Sequence, residues 1–261
     1  MMHHVLLDAA LDAAQQAGKI LSNGFGSAGS VASKEGRHNL VTEFDHASEA
    51  CIIDVLRTHT PGAAILTEES GSHDGSDDVT WVIDPLDGTV NFAHGIPIFC
   101  VSIAAVVRGE IICGVIHQPL LDETFTAIKN HGSHLNARRL HVSATATLDD
   151  SILVTGFPYN VEDNPGHCID QFASIIHRGL PVRRLGSAAL DLAYVADGRF
   201  DGFWEVALQP WDMAAGVLIV TEAGGRVTHY SGRDFILGTD SIVATNGAIH
   251  DELVRALEVT P

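Results

Sequence analysis

Trp81-Val82-Ile83-Asp84-Pro85-Leu86-Asp87-Gly88-Thr89-Val90-Asn91-Phe92 decides how the rest of the chain is read. Val79 to Ile83 is a short run of β-branched and aromatic residues, the pattern of a buried strand. It delivers two carboxylates three residues apart, with Pro85 between them. Pro85 has a fixed φ and no N–H for a sheet ladder, which predicts that the strand ends there and the chain turns. Gly88 permits close backbone approach, and N–H groups from Gly88 onward face an anion if a helical turn begins there. Two acids at a strand end beside such a cradle suit a divalent cation and a phosphate together. Asp87-Gly88 is also an ordinary turn dipeptide, so that plainer reading stays open. An aspartyl-phosphate mechanism with the motif Asp-x-Asp-Gly-Thr is excluded, because it needs an acid at position 85.

Outward from this stretch, 261 residues allow one large or two small domains with a sizeable core. With 46% hydrophobic and 18% charged residues, the composition is globular and not disordered. The formal net charge of −18 disfavours nucleic acid and anionic membranes as partners, since both need a basic face. It also poses a difficulty for an anionic substrate, which bound cations would resolve. No apolar run approaches the ~20 residues of a membrane span. The start, Met1-Met2-His3-His4, lacks the basic region and apolar core of a secretory leader, which predicts a cytoplasmic protein. Cys51, Cys100, Cys113 and Cys168 sit singly among apolar neighbours and read as reduced core residues. His131 and His134 read as part of a turn, not a zinc site.

Helical spacing of apolar residues predicts helices over 5–21, 44–56, 170–177, 188–196, 211–222 and 249–257. Thr42 is the expected N-cap of the second, with Asp45 in its first turn, and Gly224-Gly225 should stop the helix over 211–222. Residues 24–33 read as a loop and 70–78 as an exposed linker. Strands are expected over 63–67, 99–108, 111–118, 124–129, 140–142, 152–155, 182–185, 200–205 and 241–244. Gly109-Glu110 should join a hairpin and Asn130-His131-Gly132 should form a turn. Small polar residues over 143–150 mark a boundary between domains 1–146 and 147–261, the second contributing Asp212 and the substrate pocket.

Glu68, Asp84, Asp87 and Asp212 each close a predicted element. Each alone is explained by solvent, and Asp45 and Asp212 are also explained by the helix dipole at an N-terminus. Together they form a set of hard oxygen donors of the kind Mg²⁺ prefers.

The segment from Asp84 to Phe92 resembles the signature of the inositol monophosphatase family. So do Thr67-Glu68-Glu69-Ser70, Trp211-Asp212-Met213-Ala214-Ala215-Gly216 and Glu222-Ala223-Gly224-Gly225. Lys34 and Asn39-Leu40-Val41-Thr42-Glu43-Phe44-Asp45 look like its N-terminal metal-loop motif. The similarity runs in the family's order from about Lys34 to Gly225, and is strongest toward bacterial inositol-1-monophosphatases. It implies an α/β/α/β/α five-layer sandwich of the inositol monophosphatase and fructose-1,6-bisphosphatase type. The implied activity is Mg²⁺-dependent, lithium-sensitive hydrolysis of a small phosphate monoester by a homodimer.

By position, the resemblance implies that Glu68, Asp84 and the Leu86 carbonyl hold one Mg²⁺. Asp84, Asp87 and Asp212 hold a second, and a third rests mainly on Glu68 and waters. Thr89 and Asp45 orient and deprotonate the attacking water, and Gly88 and Thr89 amides contact phosphate. Glu205 accepts from a ring hydroxyl, and Gly186-Ser187-Ala188 face the same pocket. Asn39 departs from the Asp of some relatives, which bears on the loop near Lys34. The implied substrate is myo-inositol 1-phosphate. Histidinol phosphate, fructose 1,6-bisphosphate and 3′-phosphoadenosine 5′-phosphate are the alternatives, and some bacterial relatives also act through partner proteins.

Overall fold

The computed structural model describes residues 2–27, 31–33 and 40–258, so Lys34 and Asn39 lie outside the described residues. In chain order the first half forms α1 (Met2–Gly24), β1 (Val31–Ser33), β2 (Leu40–Thr42), α2 (Glu43–His59), β3 (Ala64–Thr67) and β4 (Gly71–His73). It continues with β5 (Val79–Asp87), α3 (Thr89–Ala93), β6 (Cys100–Val107), β7 (Glu110–Gln118), β8 (Glu123–Ile128), β9 (Gly132–Leu135) and β10 (Arg138–Arg139). The second half forms β11 (Leu153–Thr155), α4 (Cys168–His177), β12 (Val182–Arg183), α5 (Ala188–Ala196), β13 (Gly202–Val206) and α6 (Pro210–Glu222). It closes with β14 (Arg226–Thr228), β15 (Ser241–Thr245) and α7 (His250–Leu257).

Eight strands form one sheet in the order β10-β9-β8-β7-β6-β5-β3-β4, and five form another in the order β12-β11-β13-β15-β14. The large sheet is antiparallel except between β3 and β5. Both sheets are buried on both faces, so alternate residues of one strand enter different cores. Trp81 and Ile83 pack with α1 and α2, while Val82 packs toward α5 and α6. Phe203 likewise joins the α5/α6 side and Trp204 the side of α4 and α7. The layers are therefore α1/α2, large sheet, α5/α6, small sheet and α4/α7, the five-layer sandwich expected.

α1 lies close on the large sheet because its buried stripe is mostly alanine: Ala9, Ala10, Ala13, Ala14 and Ala17, closed by Leu6 and Leu21. Thr42 caps α2, as its position predicts: Thr42 Oγ1 accepts from the Phe44 amide at 3.2 Å, and Asp45 Oδ2 accepts from the Thr42 amide at 2.8 Å.

Five local expectations are corrected. β5 does not end at Pro85 but runs to Asp87. Its pairing shifts register there, Asp84 facing Ser102 and Asp87 facing Cys100, so Pro85 and Leu86 stand opposite Val101 alone. This bulge is how a residue without an N–H is accommodated inside a strand. The hairpin turns at Arg108-Gly109, whose φ of 51° and 82° fit a two-residue turn. Leu140–Val142 is not a strand; β9 and β10 form instead, their short polar sequence being recruited by pairing along the sheet edge. β4 interrupts the 70–78 linker, and β1 lies in the stretch read as a loop, paired with β2. β14, which no pattern in the sequence predicts, pairs with β15.

Candidate active site

β5 delivers Asp84, Leu86 and Asp87 along its bulge, and α3 begins directly after Gly88, whose φ of 98° lets the strand turn into the helix. A Cβ at Gly88 would lie 2.8 Å from the Ile98 carbonyl, so the position has no room for a side chain. Thr89 is the first residue of α3. Its Oγ1 lies 3.0 Å from Asp45 Oδ1 and 3.0 Å from the Leu86 carbonyl. A hydroxyl has one hydrogen, and a carboxylate is the stronger acceptor. Asp45 Oδ2 is held from the other side by the Thr42 hydroxyl at 2.6 Å, which fixes the carboxylate that faces Thr89.

Asp84 is buried and accepts from the Leu86 amide at 3.0 Å. Burial raises its carboxyl well above the usual range, and the nearby charges of Glu68, Asp87 and Asp212 push it further the same way. Asp87 Oδ2 accepts from Ser187 Oγ and from the Ala189 amide, both at 2.7 Å, at the N-terminus of α5. Burial lifts Asp87 to about 6 against the pull of those hydrogen bonds. Gly186-Ser187-Ala188 thus meets Asp87, with the Ser187 hydroxyl on its carboxylate. Asp212 sits in the first turn of α6, and its Oδ2 accepts from the Gln209 amide at 2.7 Å. The capping role and a place in the acid cluster are both present in one side chain.

Glu205, on β13, is pushed up to about 8 by burial, with Asp212 and Asp87 adding to the effect and Arg184 opposing it. Its carboxylate occupies the space beside Gly156, where a Cβ would approach within 2.2 Å. Glu68 stands in the tight turn between β3 and β4, half-buried. The β3–β4 turn, the β5 bulge, β13 and the start of α6 therefore bring Glu68, Asp84, Asp87, Glu205 and Asp212 within electrostatic reach of one another.

Four residues not singled out by the sequence complete the surroundings. Ser48 Oγ donates to the Pro85 carbonyl at 2.7 Å, inside the bulge. Glu49 Oε2 accepts from Thr67 Oγ1 at 2.6 Å, the Glu69 amide at 3.1 Å and the Ser70 amide at 3.3 Å. Asn91 Nδ2 donates to the Ile98 and Leu185 carbonyls, both at 2.8 Å, tying α3 to the segment before α5. Asp191 is buried on α5, and its Oδ1 has no hydrogen-bond partner among the described residues. A signal for the first two was present: Asp45, Ser48 and Glu49 put three polar groups on the face of α2 that turns toward the core.

The donor set fits a hard divalent cation, since a buried carboxyl raised by three neighbouring carboxylates is stabilised in its ionised form by positive charge. Among the described residues, no three His, Cys, Asp or Glu side chains close into a preformed cage. Mg²⁺ tolerates such an arrangement, because it keeps several waters and takes few protein ligands.

Known proteins share this layered α/β sandwich. Residues 2–260 match the inositol monophosphatase family, and the chain belongs to that family. It is 44% identical to the Nus factor SuhB of Salmonella typhimurium, over 98% of this chain and 99% of that protein. It is also 44% identical to the inositol-1-monophosphatase of Synechocystis sp., over 98% and 89% of the two chains. The crystal structure of the extragenic suppressor protein suhB from Bartonella henselae superposes with a TM-score of 0.93 at 41% identity, covering 98% of this chain and 99% of that one.

Proposed function

We propose that the protein is a Mg²⁺-dependent phosphatase of small phosphorylated polyols, with myo-inositol 1-phosphate as the preferred substrate. The observation that supports this most is the buried Asp84 carboxyl, loaded by Glu68, Asp87 and Asp212 and adjoining the Thr89–Asp45 pair. Glu68, Asp84 and the Leu86 carbonyl would hold one Mg²⁺ and Asp84, Asp87 and Asp212 a second, with a weaker third on Glu68. Bound there, the cations neutralise phosphate charge and lower the pKa of coordinated water. Thr89, its hydroxyl hydrogen directed to Asp45, offers a lone pair that orients the water and passes its proton on. Amides at Gly88 and Thr89 receive phosphate oxygens, and Glu205 receives a ring hydroxyl. The 1–146 half carries the metal groups and the 147–261 half adds Asp212 and the pocket. A cytoplasmic homodimer and lithium sensitivity belong to the same reading.

Activity on inositol 1-phosphate is expected to vanish in EDTA and to return on adding Mg²⁺. A substrate panel with Mg²⁺ separates inositol 1-phosphate from histidinol phosphate, fructose 1,6-bisphosphate and 3′-phosphoadenosine 5′-phosphate. Undiminished turnover after complete metal removal would sink the mechanism.

Glu205→Gln is expected to weaken preference for inositol 1-phosphate over a simple phosphate ester by about 1–3 kcal/mol, the range for a buried hydrogen bond to a charged group. The comparison is kcat/KM for both substrates at saturating Mg²⁺. If both fall by one factor, Glu205 does not read the polyol.

A further inference from the structure

Glu68 occupies an exacting place in the chain. It opens the three-residue turn from β3 to β4, in which Thr67 pairs with Gly71 and Gly71 has a φ of 76°. Backbone amides in so short a turn have no ladder partner of their own and must find one elsewhere. Those of Glu69 and Ser70 find the same oxygen, Glu49 Oε2, which also takes the Thr67 hydroxyl at 2.6 Å.

Glu49 is only 5% exposed. A buried carboxylate is costly unless several donors converge on it, and here three do. Hydrogen bonds to a charged acceptor are also shorter and stronger than neutral ones, so the turn is held firmly. The helix making this contact is itself fixed, since Ile52, Ile53 and Leu56 anchor α2 in the core. Along the same helix face Asp45 reaches Thr89, and Ser48 reaches the Pro85 carbonyl within the bulge. One rigid helix therefore touches every segment of the first half that carries a site group.

We infer that Glu49 is a positioning residue: its carboxylate, gripping Thr67, Glu69 and Ser70, sets the turn that presents Glu68 to the metal site. This rests on the proposed role of Glu68 as a Mg²⁺ ligand. On this reading Glu49 acts through the turn it holds, its Oε2 taken up by Thr67, Glu69 and Ser70.

The test compares wild type, Glu49→Ala and Glu49→Gln. Mg²⁺ binding is measured by calorimetry, and exchange of the Glu69 and Ser70 amides is followed in metal-free protein. In Glu49→Ala the two amides are expected to lose protection, and the Mg²⁺ half-saturation concentration to rise at least ~10-fold with little change in KM for inositol 1-phosphate. Glu49→Gln keeps an acceptor oxygen at the same reach and is expected to stay within ~3-fold of wild type. If Glu49→Ala does not fold, Thr67→Val takes its place, removing one donor while keeping shape, with a smaller rise in the same direction. A lower melting temperature with unchanged Mg²⁺ half-saturation would make Glu49 a staple of the fold and overturn the inference. Failure of the underlying function is separate, because it appears in wild type as no response to Mg²⁺, whereas failure here appears only in the variants.

Discussion

Asp212→Asn is expected to fold as well as the parent and to lose turnover by about a thousandfold or more, which corresponds to about 4 kcal/mol of transition-state stabilisation. The two roles of this side chain separate cleanly by chemistry. In its capping contact Oδ2 accepts from the Gln209 amide, and an asparagine carbonyl supplies that acceptor equally well. Its negative charge, by contrast, bears on both Asp84 and Glu205, and asparagine cannot supply it. The measurement pairs the apo melting temperature with kcat/KM across a Mg²⁺ titration. Near-normal turnover would make Asp212 a cap only.

Asp84→Asn should abolish activity at least as completely and, unlike most buried substitutions, should stabilise the metal-free protein. The asparagine side-chain oxygen can still accept from the Leu86 amide, and the fold loses a carboxyl that burial and three acidic neighbours hold well above its ordinary value. For an acid raised on folding, the unfolded chain releases its proton first, so wild type loses stability as pH rises from the unfolded value near 4 toward the folded one. The advantage of the variant is therefore small near pH 3, grows as pH rises above about 4 and shrinks when Mg²⁺ is added to wild type. Melting temperatures of both proteins in EDTA from about pH 4 to 8 check this. A variant that melts below wild type at the alkaline end of that range would show that Asp84 contributes to the apo fold.

The parts of the molecule legible in sequence were those where local chemistry and tertiary packing agree. Thr42 and Asp45 announce the start of α2 because the cap is completed by neighbours in sequence. α5 begins and ends where its apolar periodicity does, at Ala188 and Ala196. Glu68, Asp84 and Asp87 stand out in the sequence because they follow apolar strand runs, and Asp212 because it opens a helix. What could not be read is what one segment does to another. Pro85 announces a disruption, but only the partner strand shows that it is a bulge inside β5. Gly132–Leu135 has weak strand propensity and pairs because β8 is beside it. Ser187 is expected from its motif to face substrate, and nothing in its local sequence shows that its hydroxyl lies on Asp87, a hundred residues earlier.

That last contact fixes when the site can exist as well as where. Asp87 belongs to the large sheet, and its bonds from Ser187 Oγ and the Ala189 amide come from the start of α5, so these two bonds await the docking of that helix. Closing contacts across such sequence distances is the slow part of folding. During synthesis, Asp84 and Asp87 leave the ribosome long before α5 and α6 arrive to join them. At the proposed metal site, cation affinity is therefore expected to arise late in folding, and added Mg²⁺ is expected to slow unfolding without hastening early collapse.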